Sequence, residues 1–230
     1  MPIVTSVPRE KNTQARFAPL QPSCNPSQRP GKYRFSAMTD EEVLSEFRAS
    51  EALLEGHFML SSGRHSGHYL QCARVLMNPE RAGRLAMALA QKLPRELRGE
   101  IDVVVSPAMG GLIIGHEMGR ALGKDAIFLE RPDGEFHLRR GFRLEPGAKV
   151  LMVEDVVTTG LSSREAIEAV KREGGEVVAE VSLVDRSAGE ADLGVPYYAL
   201  VEINFPTFAN GEVPEGLARI PVTKPGSRAK

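Results

Sequence analysis

The chain has 230 residues, of which 42% are hydrophobic and 26% charged, the balance of an ordinary globular chain with room for one sizeable core or two small ones. Lys plus Arg number 29 and Asp plus Glu 30, a net charge of -1, which argues against bulk electrostatic binding to nucleic acid or an anionic membrane but leaves room for a local basic pocket. Apolar runs such as Leu112 to Ile114 are far shorter than the ~18 residues of a membrane span, and two cysteines without a Cys-x-x-Cys pair exclude a disulfide framework and a zinc ribbon, so the chain reads as cytosolic.

Residues 1–37 hold six prolines and no apolar period of 2 or 3.6, so they read as a disordered tail ahead of a folded domain at 38–230. Thr39-Asp40-Glu41-Glu42 is a good helix start, and Val43, Leu44 and Phe47 form one face through Ser50. Gly56 to Gly63 predicts a strand running into a turn, with Tyr69 to Ala73 as its partner. Pro79 opens a helix carrying Leu85, Ala86, Leu89 and Leu93. Ile101 to Val105, Ala126 to Leu129 and Val150 to Val153 are short apolar runs of the kind found in buried parallel strands. Gly110-Gly111 begins a helix to about Leu122. Ser162 to Glu165 fits a capping box before Ala166, Ile167 and Val170, and Gly174-Gly175 ends that helix. Val177 to Val184 and Tyr197 to Ile203 add two strands. Alternating strands and helices with short connections mean an α/β chain with a mainly parallel sheet, whose ligands sit at the carboxyl ends of the strands.

The unusual residues are at those ends. Lys149 to Val153 runs into Glu154-Asp155-Val156-Val157-Thr158-Thr159-Gly160-Leu161-Ser162 and then into a helix. Two adjacent carboxylates at a strand end are costly unless they bind something. A Thr-Thr-Gly-x-Ser loop at a helix N-terminus offers N–H groups, hydroxyls and a positive dipole end, an anion cradle suited to phosphate. Together they suggest a phosphorylated sugar, its phosphate in the loop and its ribose hydroxyls on the carboxylates.

Leu151 to Ser163 resembles the phosphoribosyl-diphosphate (PRPP) signature of type I phosphoribosyltransferases, and within that superfamily the chain most resembles the orotate phosphoribosyltransferases. Four further segments carry the narrower likeness: Phe58 to Ser66 to the hood motif, Ser106 to Gly111 to the pyrophosphate loop, Glu130 to Gly141 to the mobile catalytic loop, and Leu183 to Arg186 to the segment facing the orotate carboxylate. The resemblance implies a central, mainly parallel sheet flanked by helices with a small N-terminal hood. It implies transfer of ribose 5-phosphate from PRPP to N1 of orotate, with Mg²⁺ held mainly by substrate rather than by a protein metal site, in a homodimer whose active sites are shared.

Carried residue by residue, the resemblance implies PRPP contacts from Ser61, Met109, Gly110, Arg131, Glu154, Asp155, Val156, Val157, Thr158, Thr159, Gly160, Leu161 and Ser162. It implies orotate contacts from Tyr69, Leu70, Thr158 and Arg186, and a non-proline cis peptide near Ala108-Met109. Catalytic roles fall to Asp155 and to the cations Arg131, Arg139 and Arg140, whose stretch has little apolar content to pack and reads as an exposed, mobile loop. The sequence departs from the family's lysine-rich loop, having Pro132 after Arg131 and no lysine before Gly141, and it has Ser61 where some relatives have lysine. The histidines show no ligand pair at helical spacing, so they and Cys72 read as structural or solvated. Two rival readings are a purine phosphoribosyltransferase and a non-catalytic PRPP-sensing regulator that binds nucleic acid. The Ser62-Gly63-Arg64 hood and Arg186 disfavour the first, and near-neutral charge disfavours the second.

Overall fold

The computed structural model describes residues 37–60 and 62–224; the tail expected at 1–37, Ala37 excepted, and the site expected at Ser61 lie outside the described residues. Thr39 caps α1 (Asp40–Ala49) reciprocally: its hydroxyl accepts the Glu42 N–H, and the Glu42 carboxylate accepts the Thr39 N–H at 2.8 Å. Val43 and Phe47 are fully buried behind this cap.

β1 (Leu53–Met59) pairs antiparallel with β2 (His65–Leu70). The partner strand was expected at Tyr69 to Ala73, but it lies earlier. The Gln71 N–H turns back to the Ala52 carbonyl at 2.8 Å, and Cys72 opens α2 (Cys72–Leu76), where Cys72, Val75 and Leu76 bury themselves at helical spacing. Asn78 caps α3 (Pro79–Lys92), and α4 (Arg95–Glu100) follows.

The remaining elements in chain order are β3 (Val103–Pro107), α5 (Gly111–Leu122), β4 (Asp125–Glu130), β5 (His137–Leu138), β6 (Lys149–Val157), α6 (Leu161–Arg172), β7 (Glu176–Asp185), β8 (Tyr197–Glu202), β9 (Thr207–Phe208), α7 (Glu215–Ala218) and β10 (Val222–Thr223). Six strands form the main sheet in the order β5-β4-β3-β6-β7-β8, parallel except for β5. Successive residues of β6 feed two cores. Leu151 and Val153 pack in the core that also holds residues of α1, α2, α3 and α5, whereas Val150 and Met152 pack with Ala166, Ile167 and Val170 of α6. Both faces are thus covered, as the unbroken apolar strands require.

A second sheet, β10-β1-β2-β9, is the hood. It is not purely N-terminal as expected, because β9 and β10 return from the far end of the chain to flank the hairpin. Inside it the buried His57 and His65 rings bond to one another, Nε2 to Nδ1 at 2.7 Å, and His57 Nδ1 meets the Ile220 carbonyl at 3.0 Å. Among the described residues no helix is long and apolar enough to cross a membrane.

Candidate active site

β6 delivers Glu154 and Asp155 to the carboxyl end of the sheet, flanked by β3 and β7. Asp155 Oδ1 accepts the Val156 N–H at 2.9 Å, which fixes the carboxylate against its own strand. Glu154 is only 8% exposed. Its carboxyl is pushed up to about 8, first by burial, then by the neighbouring charges of Asp155 and Glu180. Burial likewise raises Asp155. A pair this reluctant to ionise is matched to hydroxyl donors or to a cation that would restore its charge.

Beyond Val157 the chain turns through Thr158, Thr159 and Gly160 into α6. Gly160 sits in the left-handed region (φ 71°), and a Cβ there would approach Leu193 Cδ2 to 2.5 Å, so the turn requires glycine on two counts. Thr159 Oγ1 accepts the Leu161 N–H at 3.4 Å, and Arg164 braces the loop by donating to the carbonyls of Thr159 and Asp192. The capping box expected at Ser162 to Glu165 does not form: Gly160 is the cap, and no side chain caps the helix. Ser162, the residue expected to cap, already lies inside the helix, and its expected partner Glu165 pairs with Arg131, while Ser163 bonds to Glu180. Leu161 has its N–H on Thr159, and Ser162 and Ser163 of the same turn line a cleft of about 260 Å³ together with residues 156–161, Arg131 and Glu165.

The Ser106–Gly111 loop lies beside Asp155. The Ala108–Met109 peptide is cis, where it was expected, and the Ala108 N–H donates to the Leu129 carbonyl at 2.8 Å. Gly110 packs directly on Asp155, and a Cβ on Gly111 would come within 2.9 Å of the Val153 carbonyl. Glycines here let the loop backbone approach the strand that carries the carboxylates.

Arg186 follows β7, its N–H donating to the Val157 carbonyl at 2.8 Å. Its Nε is buried with no hydrogen-bond partner, and burial lowers its pKa. The neighbouring Asp185 instead accepts the Ser187 N–H, so Arg186 is a guanidinium in want of an anion. Cys72, two residues beyond Leu70, places its sulfur 4.0 Å from the Asp155 carbonyl oxygen, which sets the end of the Tyr69-Leu70 strand beside the carboxylates. Cys72 is nearly fully buried and its thiol is raised well above its ordinary value by burial, which suits a packing role.

The basic loop differs most from expectation. It was read as poor in apolar packing, yet Phe136 is buried in the α6 core with Leu138 packed against it, and His137–Leu138 forms β5 on the edge of the sheet. Arg131 pairs with Glu165, lies 3.9 Å over the Phe136 ring and lines the cleft. Arg139 and Arg140 both pair with Glu130 instead and do not line it. The residues that sequence reasoning missed are Ser163 and Glu180, for which the signal was one glutamate in the interior of the mostly apolar Val177–Val184 run.

The family model described as Phosphoribosyl transferase domain matches residues 76–219. An orotate phosphoribosyltransferase of Sphingopyxis alaskensis is 74% identical over 193 residues, covering 84% of this chain and 98% of that protein. One of Novosphingobium aromaticivorans is 70% identical over 193 residues, covering 84% of this chain and all of that protein. The crystal structure of orotate phosphoribosyltransferase from Aeropyrum pernix superposes with a TM-score of 0.57 at 26% identity, over 70% of this chain and 93% of that one. The paired carboxylates, the cis-peptide loop and the glycine turn into α6 are thus set in a chain that belongs to the orotate phosphoribosyltransferase family.

Proposed function

We propose that the chain transfers the ribose 5-phosphate group of PRPP to N1 of orotate, giving orotidine 5'-monophosphate and pyrophosphate. The observation that carries this reading is the β6-to-α6 turn, where the raised carboxyls of Glu154 and Asp155 stand immediately before a cleft of about 260 Å³ lined by the first turn of α6. The 5'-phosphate sits on residues 156–162. Glu154 and Asp155 accept hydrogen bonds from the ribose hydroxyls. The backbone of Met109 and Gly110 receives the pyrophosphate. Arg186 meets the orotate carboxylate with its planar fork, while Thr158, Tyr69 and Leu70 frame the ring.

Bond breaking at the anomeric carbon develops positive charge on the ribose and negative charge on the leaving group, so catalysis is mostly positioning and electrostatics. The buried acidic pair suits the first charge, and Arg131 at the cleft wall suits the second. The same carboxylates are hard oxygen donors that fit Mg²⁺; when bound with PRPP it would neutralise charge on the departing pyrophosphate. Arg139 and Arg140 would join only after leaving Glu130, which agrees with a loop that moves and with sites shared in a homodimer. The substrates are small molecules, with no role for nucleic acid or membrane, and the compartment is the cytoplasm.

The test is the fall in orotate absorbance on adding PRPP and Mg²⁺ to the protein. Turnover of adenine or xanthine with orotate inert would instead establish the purine reading. Binding of RNA or DNA without any turnover would establish a regulator.

A further inference from the structure

Glu180 is fully buried in the middle of β7, opposite Met152 of β6 and Tyr197 of β8. A carboxylate in such a place is expensive unless it is bound. Its partner is Ser163, whose buried hydroxyl donates to Glu180 Oε1 at 2.5 Å, while Oε2 has no partner. Burial pushes the Glu180 carboxyl up to about 7, so a neutral acid is available to it near neutral pH. The sheet thus holds a costly group for the sake of one contact.

Ser163 is the third residue of α6, and Gly160 precedes that helix in the left-handed region without any capping side chain. A serine at the cap would accept a first-turn N–H, but Ser163 stands three residues past it. Its hydroxyl turns inward to the sheet, and the same residue lines the cleft. The N–H groups that would receive a phosphate and the hydroxyl that ties the turn down therefore belong to one short stretch of backbone.

We infer that Glu180 and Ser163 form a latch that fixes the first turn of α6 at the height required by the 5'-phosphate, making Glu180 a positioning residue for PRPP. The inference rests on the phosphate site proposed above. Ser163 lies at the phosphate end and the charge of Glu180 also reaches Glu154 at the ribose, so the latch governs PRPP and not orotate. Its neighbours on the same face, Ser182 and the Tyr197 hydroxyl, bond to one another at 2.6 Å and leave Glu180 to Ser163.

The test compares Ser163→Ala, Glu180→Leu, their combination and Glu180→Gln in the full chain, reading KM for each substrate, kcat and melting temperature. The expected result is a rise of roughly fivefold or more in KM for PRPP in both single variants, with KM for orotate unchanged. The combination should be no worse than the worse single variant, because both remove one contact. Glu180→Gln keeps an oxygen that accepts the hydroxyl and should stay within about twofold of the parent. If Glu180→Leu does not fold, Ser163→Ala alone carries the test. A PRPP KM that stays within about twofold in Ser163→Ala, or a parallel rise in both KM values, overturns the latch. A Thr158→Ala/Thr159→Ala variant separates the two levels: if it raises the PRPP KM while Ser163→Ala does not, only the latch fails, and if neither does, the phosphate site fails with it.

Discussion

Gly110 stands so close to Asp155 that a Cβ placed on it would lie 2.6 Å from Asp155 Oδ1. The backbone of Gly110 is ordinary for any residue (φ −59°, ψ −46°), so what the position uses is the missing side chain. Asp155 cannot easily yield, because the same oxygen accepts the Val156 N–H. The loop proposed for pyrophosphate and the carboxylate proposed for ribose are therefore seated on each other. Gly110→Ala should displace the carboxylate and lower kcat/KM for PRPP by about tenfold or more, with melting within a few degrees of the parent. Unchanged kinetics would show that the contact is incidental.

Glu154→Gln combined with Asp155→Asn should cut turnover by more than about tenfold while the fold survives. The motive is that both carboxyls are buried and raised, so they cost stability where they sit. A double variant that melts no lower than the parent and turns over at nearly the parent rate would remove these residues from the reaction.

Glu180 makes stability depend on pH in a stated direction. Its carboxyl ordinarily titrates near 4.5 and is raised to about 7 in the fold, so the native state holds the proton over that interval and the unfolded chain does not. Its contribution is most favourable below about 4.5 and is lost as pH rises through 7, a change on the order of 3 kcal/mol for a fully buried group. Glu180→Gln cannot ionise, so its melting temperature should gain on the parent between pH 5 and 7.5 and then run parallel. A constant difference between the two curves across that range would contradict this account.

The sheet was legible because apolar runs such as Val150 to Val153 admit few other interpretations, and the phosphate turn because Glu-Asp followed by Thr-Thr-Gly concentrates chemistry in one stretch. What escaped was set by long-range pairing. The Ser162 to Glu165 pattern matches a capping box, but the helix starts one residue earlier, at Leu161 behind Gly160, and Glu165 is taken by Arg131, thirty-four residues away. The His57–His65 bond depends on the strand register around the hairpin turn, and β9 and β10 are two residues each, too short for any periodic signal. The loop was misjudged because one buried phenylalanine, Phe136, outweighs its charged neighbours in deciding where the segment rests.

That resting place bears on the proposed sharing of sites between subunits. Arg139 and Arg140 are exposed and paired to Glu130 of their own chain, so reaching pyrophosphate in either subunit requires that they first exchange this partner. Exposed pairs of this kind are weak, roughly 1 kcal/mol or less each, so the exchange is easily driven by a bound polyanion. The proposed homodimer with loops acting across the interface can be tested by mixing two variants, Arg139→Ala/Arg140→Ala and Asp155→Asn, each nearly inactive alone. Random exchange makes half of the dimers mixed. In each mixed dimer one site carries both defects and the other carries neither. Activity should then return to roughly a quarter of the parent level. With loops confined to their own subunit, every site keeps one defect and mixing restores nothing. No recovery, with exchange verified by separately tagged chains, would therefore place the arginines in their own subunit's site or remove them from catalysis. The single Arg139→Ala and Arg140→Ala variants separate those two outcomes, because an arginine that neutralises pyrophosphate must lower kcat wherever its site is.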